Sequence, residues 1–187
     1  MTLRRGCFYA VAMDRNLRST HKRAFRTGKQ GTALYTPAQR RRRDESVWTV
    51  VQGVLAPLQF LVCLVSVALI VRTLSTGEGE WAAHASVLVK TVLLLAIMVT
   101  GSIWEKVVFD RWLFAPAFFW EDVVSFGVIA LHLAYVAALF GGWLAGWQLL
   151  ALALTAYAAY AVNATQFLLK LRAARLAGSV DLAGASA

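Results

Sequence analysis

A short stretch between two apolar segments combines acidic, basic and aromatic side chains at high density. It covers residues 101–125 and holds the carboxyl groups of Glu105, Glu121 and Asp122. Carboxyl groups at an apolar boundary are poorly hydrated, so neighbouring ones tend to share a proton, and a neutral carboxyl is a good general acid. With one membrane-embedded histidine added, the catalytic candidates are Glu105, Glu121, Asp122 and His132.

Aromatic rings and cations surround these acids, as a binding site for a planar, anionic molecule requires. Aromatic faces stack on flat molecules and stabilise nearby positive charge, whereas Lys and Arg pair with carboxylates. The same residue types also suit an interfacial belt of aromatic rings with surface ion pairs, and residue types alone leave both interpretations open. The substrate-binding candidates are Trp104, Lys106, Arg111, Trp112, Phe118, Phe119 and Trp120.

His132 is the one histidine predicted to lie within the membrane. Eleven residues separate it from Glu121, which is about three helical turns, so the two side chains project from one helix face. Such a histidine can donate a proton, ligate a magnesium ion that a ligand carries, or bond to a neighbouring group. The sequence has no phosphate-binding loop, no HExxH and no Cys or His cluster with metal spacing, so we predict no metal site and no cofactor.

Four apolar segments must position these residues, and they predict an all-α, polytopic membrane protein built as a four-helix bundle. The 187-residue chain is 59% hydrophobic with a mean hydropathy of +0.59, more apolar than soluble domains of this length. Each predicted span is long enough to cross a bilayer. Polar side chains within the spans, such as Gln52, Gln59, Ser125 and Asn163, are expected to form interhelical hydrogen bonds. The predicted spans are residues 48–74, 85–108, 123–140 and 147–169.

Positive charge is concentrated on one predicted side of the membrane. Twelve of the nineteen Lys and Arg residues precede Asp44 and account for most of the net charge of +9. Residues 75–84 and 141–146 contain neither Lys nor Arg. The positive-inside rule therefore predicts that both termini and the central connection are cytoplasmic. A basic segment beside membrane spans favours anionic lipid, rather than nucleic acid, as its partner.

The chain divides into three predicted regions. Residues 1–33 are basic and lack helical periodicity, which is typical of a disordered extension. Residues 34–176 form the transmembrane domain, and residues 177–187 are predicted to be a flexible tail. Thr36 before Pro37 predicts the N-cap of a short surface helix ahead of the first span.

Three blocks of sequence contain residue combinations that are unusual in transmembrane helices. They are LYTPAQRRRRDESVWTVVQGVLAPLQFLV (34–62), IMVTGSIWEKVVFDRWLFAPAFFWEDVVS (97–125) and AYAVNATQFLLKLRAARL (159–176). Together they closely resemble the 3-vinyl (bacterio)chlorophyllide hydratases of bacteriochlorophyll biosynthesis. The resemblance extends from residue 34 to about residue 176. It brings no established catalytic residues, so the candidates above depend on chemistry alone.

This resemblance implies a hydro-lyase that adds water across the C3-vinyl group of chlorophyllide a. The expected product is 3-(1-hydroxyethyl)chlorophyllide a, made in a bacterial inner membrane. The tetrapyrrole substrate carries its own magnesium, and other enzymes of the pathway are expected neighbours.

Two other interpretations remain open at this stage. A non-catalytic tetrapyrrole-binding or assembly protein would use His132 as its magnesium ligand. A small transporter is a weaker alternative, because the chain shows no internal repeat and no paired broken helices. For the hydratase, we expect Glu105, Glu121 and Asp122 to meet at the cytoplasmic ends of the second and third spans, with at least one of them protonated at neutral pH.

Overall fold

The computed structural model describes the backbone of residues 34–185 and the side chains of residues 34–176. Within that range the chain forms helices and no strand, which confirms the all-α prediction. Residues 1–33, predicted to be disordered, lie outside the described part. The helices are α1 (Pro37–Glu45), α2 (Val47–Thr76), α3 (Glu80–Phe109), α4 (Phe119–Gly141) and α5 (Gly146–Ala185).

The predicted surface helix is α1, and its start is fixed by a capping box. The Thr36 hydroxyl oxygen accepts a hydrogen bond from the Gln39 backbone N–H at 3.3 Å, and Gln39 Oε1 accepts one from the Thr36 N–H at 2.9 Å. Pro37 occupies the first turn, where its missing N–H has no intrahelical partner to lose. The prediction of an N-cap at Thr36 is confirmed.

Four helices are long and apolar enough to cross a membrane, as predicted. All four extend beyond the predicted spans. The α4 helix begins at Phe119, four residues before the predicted span, so Glu121 and Asp122 lie in its first turn. Acidic side chains are favourable there because they face the positive end of the helix dipole. At the other end of the chain, the backbone of α5 stays helical to Ala185, through residues for which we predicted a flexible tail.

The four long helices form two antiparallel pairs, since α2 packs most closely against α3 and α4 against α5. We call the end of the bundle with the α3–α4 connection the inner end, and the opposite end the outer end. The predicted interhelical hydrogen bonds are formed within these pairs. They join Gln52 to Thr100 (2.8 Å), Gln59 to the Leu93 carbonyl (3.0 Å), and Asn163 to Ser125 (2.8 Å).

The main hydrophobic cluster draws on all four long helices and includes Ile70, Val87, Tyr135 and Leu150. Deeper along α3, Lys90 is completely buried. Its Nζ donates a hydrogen bond to Gln59 Oε1 and lies 3.6 Å from the centroid of the Tyr160 ring. A lysine in this position is costly in a membrane protein unless neighbouring groups satisfy it.

Candidate functional site

The connection between α3 and α4, residues 110–118, folds back over the inner end of the bundle. Asp110 ends α3 with φ 63°, and Phe114 has φ 57°. A positive φ is uncommon for a bulky side chain and is maintained only where surrounding contacts require it. A turn then brings the Phe118 N–H to the Ala115 carbonyl at 2.8 Å, just before α4 begins. This geometry directs backbone N–H groups of the connection toward the helices.

Two of those N–H groups bind carboxyl groups on different helices. The Phe114 N–H donates to Asp122 Oδ2 at 2.8 Å, and the Ala115 N–H donates to Glu105 Oε2 at 3.1 Å. Asp122 and Glu105 are only 4% and 5% exposed. Because these two donors belong to consecutive residues, the carboxyl groups of Glu105 and Asp122 lie near each other. Neighbouring carboxyl groups with little access to water favour sharing a proton, because two adjacent negative charges are costly there. We call Glu105 and Asp122 the carboxyl pair.

Glu121 is adjacent to this pair in sequence but has a different partner. Its Oε2 lies 2.5 Å from Lys170 Nζ, which reaches across from α5. Lys170 Nζ is also 5.2 Å from the centroid of the Phe118 ring. The three acids predicted to converge are thus found at the inner end, but as a carboxyl pair and a separate ion pair.

The predicted aromatic residues fall into two groups. Trp104 and Phe118 belong to an inner aromatic cluster, in which their ring centroids are 5.7 Å apart. Phe118 is only 1% exposed, so it packs inside the protein. The other members of the inner aromatic cluster are Tyr35, Phe109 and Phe167.

Trp112, Phe119 and Trp120 point outward instead, with 61%, 43% and 70% of their surfaces exposed. Phe114 links this exposed group to the connection, because its ring centroid lies 5.6 Å from that of Phe119 and 5.5 Å from that of Phe126. We call these five residues the aromatic face. The aromatic face lies beside the carboxyl pair, since the backbone of Phe114 itself binds Asp122.

The two basic residues predicted to bind substrate, Lys106 and Arg111, differ in whether an acidic side chain already pairs with them. Lys106 Nζ forms an ion pair with Asp110 Oδ1 at 2.6 Å on the exposed surface. The hydrogen bond and the positive charge of Lys106 lower the pKa of Asp110 below its ordinary value. Arg111 is exposed, and its guanidinium has no ion-pair partner among the described residues. Of the two, Arg111 is the cation free to bind an anionic group.

His132 lies away from the carboxyl groups, deeper in the bundle. Its Nδ1 is 2.8 Å from the Val128 carbonyl, which can only accept, so Nδ1 carries a proton. Its Nε2 is buried without a hydrogen-bond partner in the described part of the chain. The ring lies 5.7 Å from that of Tyr157. Residues 34–176 contain no group of three His, Cys, Asp or Glu side chains arranged to hold a metal ion.

Comparison with known proteins identifies the family. The family model for 2-vinyl bacteriochlorophyllide hydratase matches residues 35–173. The chain belongs to this family. A protein of that name from Cereibacter sphaeroides is 65% identical over 143 residues, covering 76% of this chain and 89% of the relative. Another from Rhodobacter capsulatus is 62% identical over 152 residues, covering 81% and 88%. No solved structure matches the chain.

Membership in this hydratase family makes the chain an enzyme that adds water, with a place in bacteriochlorophyll synthesis. The matched range includes every residue of the carboxyl pair, the ion pair and the aromatic face. All of these groups meet where α3, α4 and the hydratase's central connection come together.

Lys170 is the residue of this site that sequence reasoning missed, because a lysine after the last span is normally a topology signal. A spacing signal was nevertheless present. Asn163, Phe167 and Lys170 repeat at intervals of four and three residues, which places them on one helix face. In the structure that face packs against Ser125 of α4, Phe118 at the end of the connection and Glu121 of α4, respectively.

Proposed function

We propose that this hydratase adds water across the C3-vinyl group of chlorophyllide a, giving 3-(1-hydroxyethyl)chlorophyllide a. The relatives are named for a vinyl group numbered 2 and for a bacteriochlorophyllide. A test of the proposal must therefore distinguish two substrates, a chlorin and a bacteriochlorin, which undergo the same reaction at the vinyl group. The observation that carries the proposal is the buried carboxyl pair of Glu105 and Asp122, bound by consecutive backbone N–H groups beside an exposed aromatic face.

Hydration of a vinyl arm on a conjugated ring begins with proton transfer to its terminal carbon. The π electrons of the vinyl group form the new C–H bond, and positive charge develops on the carbon next to the macrocycle, where the ring delocalises it. Water then adds to that carbon and releases a proton to a base. The carboxyl pair of Glu105 and Asp122 suits the first step, because two buried neighbouring carboxyl groups favour a shared proton where water has limited access.

The substrate is proposed to lie on the aromatic face at the membrane boundary. The rings of Phe119 and Trp120 offer flat apolar surface to the macrocycle, and their negative faces stabilise nearby positive charge. The propionate of the substrate is proposed to pair with Arg111, which keeps the carboxylate toward water. The inner end of the bundle and both termini are proposed to face the cytoplasm, as the distribution of Lys and Arg predicts.

The direct test is anaerobic incubation of the purified protein with chlorophyllide a and, in parallel, with a vinyl-bearing bacteriochlorophyllide. Hydration predicts a product heavier by one water and a blue-shifted red absorption band, because the vinyl group leaves the conjugated system. A pigment-binding protein would leave the mass of both pigments unchanged. The unpartnered Nε2 of His132 favours that second candidate function, since a neutral imidazole nitrogen is a magnesium ligand.

Amide variants test the residues. Glu105→Gln and Asp122→Asn should each lower turnover by about a hundredfold or more, the usual effect of losing a general acid. Pigment binding should persist, because the aromatic face and Arg111 are unchanged. Near-normal turnover of both variants at equal protein levels would place the acid elsewhere and direct attention to His132.

A further inference from the structure

Lys170 occupies a site that its position in the sequence does not explain. A lysine at the cytoplasmic end of a span normally extends into the headgroup region. Here only 28% of its side chain is exposed, and the helix face that carries it is fixed against α4. The Asn163 amide donates to Ser125 Oγ at 2.8 Å, and the Phe167 ring stacks on Phe118 at 5.8 Å. These contacts set the register that brings Nζ to Glu121.

The environment of Glu121 makes this contact important for its charge. Only 11% of its side chain is exposed, so water does little to stabilise a carboxylate there. The neighbouring titratable groups are Lys170 on α5, Asp122 next in sequence and, through Asp122, Glu105 on α3. Of these, only Lys170 supplies positive charge. Adjacent carboxyl groups with such different partners can be held in different protonation states, which is how acid and base roles are divided in enzyme sites.

We propose that Lys170 is a positioning residue that orients Glu121 and keeps it ionised, so that Glu121 is the base for the attacking water. This inference rests on the proposed hydration. The carboxyl pair gives its proton to the terminal vinyl carbon, and Glu121 takes a proton from the water oxygen as that oxygen bonds to the adjacent carbon. Return of this proton from Glu121 to Asp122 restores the starting state, so the cycle consumes one water and no other reagent.

An infrared titration of the pigment-free protein tests the charge of Glu121 without any need for turnover. The Glu121 carboxylate band is assigned as the difference between the wild type and Glu121→Gln. In Lys170→Met the pH midpoint of this band should rise by about one unit or more, the usual effect of losing an adjacent opposite charge. Lys170→Arg should keep the wild-type midpoint, because it preserves the cation.

Arg172→Met is the matched control, since it removes a charge from an exposed position two residues further along α5. It should leave the Glu121 midpoint unchanged. Equal midpoints in the wild type and Lys170→Met would overturn the role of Lys170, and so would equal shifts in Lys170→Met and Arg172→Met.

Turnover provides the second readout. Lys170→Met should lower kcat by about tenfold or more and move the acidic limb of the pH profile upward with the infrared midpoint, whereas Lys170→Arg should recover both. A lower kcat with an unmoved acidic limb would indicate a purely structural role and refute the inference. If the wild type hydrates neither pigment, the proposed function fails, while the infrared titration still decides whether Lys170 controls Glu121.

Discussion

Replacing Gln59 with leucine should destabilise the bundle more than its position in an apolar helix suggests. Gln59 Oε1 is the only hydrogen-bond acceptor that contacts Lys90 Nζ among the described residues. Both side chains are at most 1% exposed, so no bulk water can replace the lost partner. Hydrogen bonds to charged groups contribute about 1.5–3 kcal/mol. The Tyr160 ring would remain in contact with Nζ, so we expect Gln59→Leu to cost about 2–3 kcal/mol.

A second substitution shows whether the unsatisfied amine is the cause. Lys90→Met keeps the length of the side chain and removes the polar nitrogen. Made alone, it leaves Gln59 Oε1 buried without a donor and should be mildly destabilising. Made together with Gln59→Leu, it should restore most of the lost stability, because replacing both partners with apolar groups removes the penalty.

The assay is reversible unfolding in mixed detergent micelles, followed by helical circular dichroism at fixed pH. The four proteins of the cycle give the coupling between Lys90 and Gln59 directly. If Lys90→Met lowers the free energy of unfolding further in the Gln59→Leu background, the hydrogen bond is not what stabilises this part of the bundle.

Three further predictions concern other parts of the chain. Deleting residues 1–33 should leave turnover nearly intact, because the family match begins at residue 35; a well-inserted but inactive deletion variant would contradict this. Single cysteines that replace Glu78 and Trp143, in the two outer connections, should be labelled from outside intact spheroplasts. Protection of either cysteine would contradict the predicted topology. Burial raises the pKa of Tyr35 above 10.0, so folding keeps its phenol neutral and the resulting stability should be lost as pH rises above about 10. Tyr35→Phe should make that alkaline loss smaller than in the wild type, in an unfolding series from pH 8 to about 11.

The sequence was sufficient to predict the helices and one helix face in detail. The spacing of Glu121 and His132 predicts a shared face of α4, and both are buried there with Ser125, Val128 and Tyr135. The prediction succeeded because polar groups in a membrane turn away from lipid, so helical spacing and burial carry the same information.

Partner choice could not be predicted in the same way. Helical spacing places Glu121 on a face but does not say whether Glu105, Asp122 or a residue of α5 will contact it. That outcome depends on the register of α4 against α5 and on the path of residues 110–118. The left-handed backbone conformation of Phe114 could not be predicted from the sequence either, because bulky residues adopt it only when tertiary contacts require it.

The backbone N–H groups of Phe114 and Ala115 also affect the carboxyl pair after the proposed release of its proton. In the proposed reaction the carboxyl pair releases its proton, and two neighbouring negative charges then remain. The two N–H groups of the connection, at 2.8 Å and 3.1 Å, already point at one oxygen of each. They are oriented before the charge appears, which is how an oxyanion hole works, although here they would stabilise the spent catalyst and not the substrate. The unusual turn at Phe114 is then part of what determines how readily the acid gives up its proton.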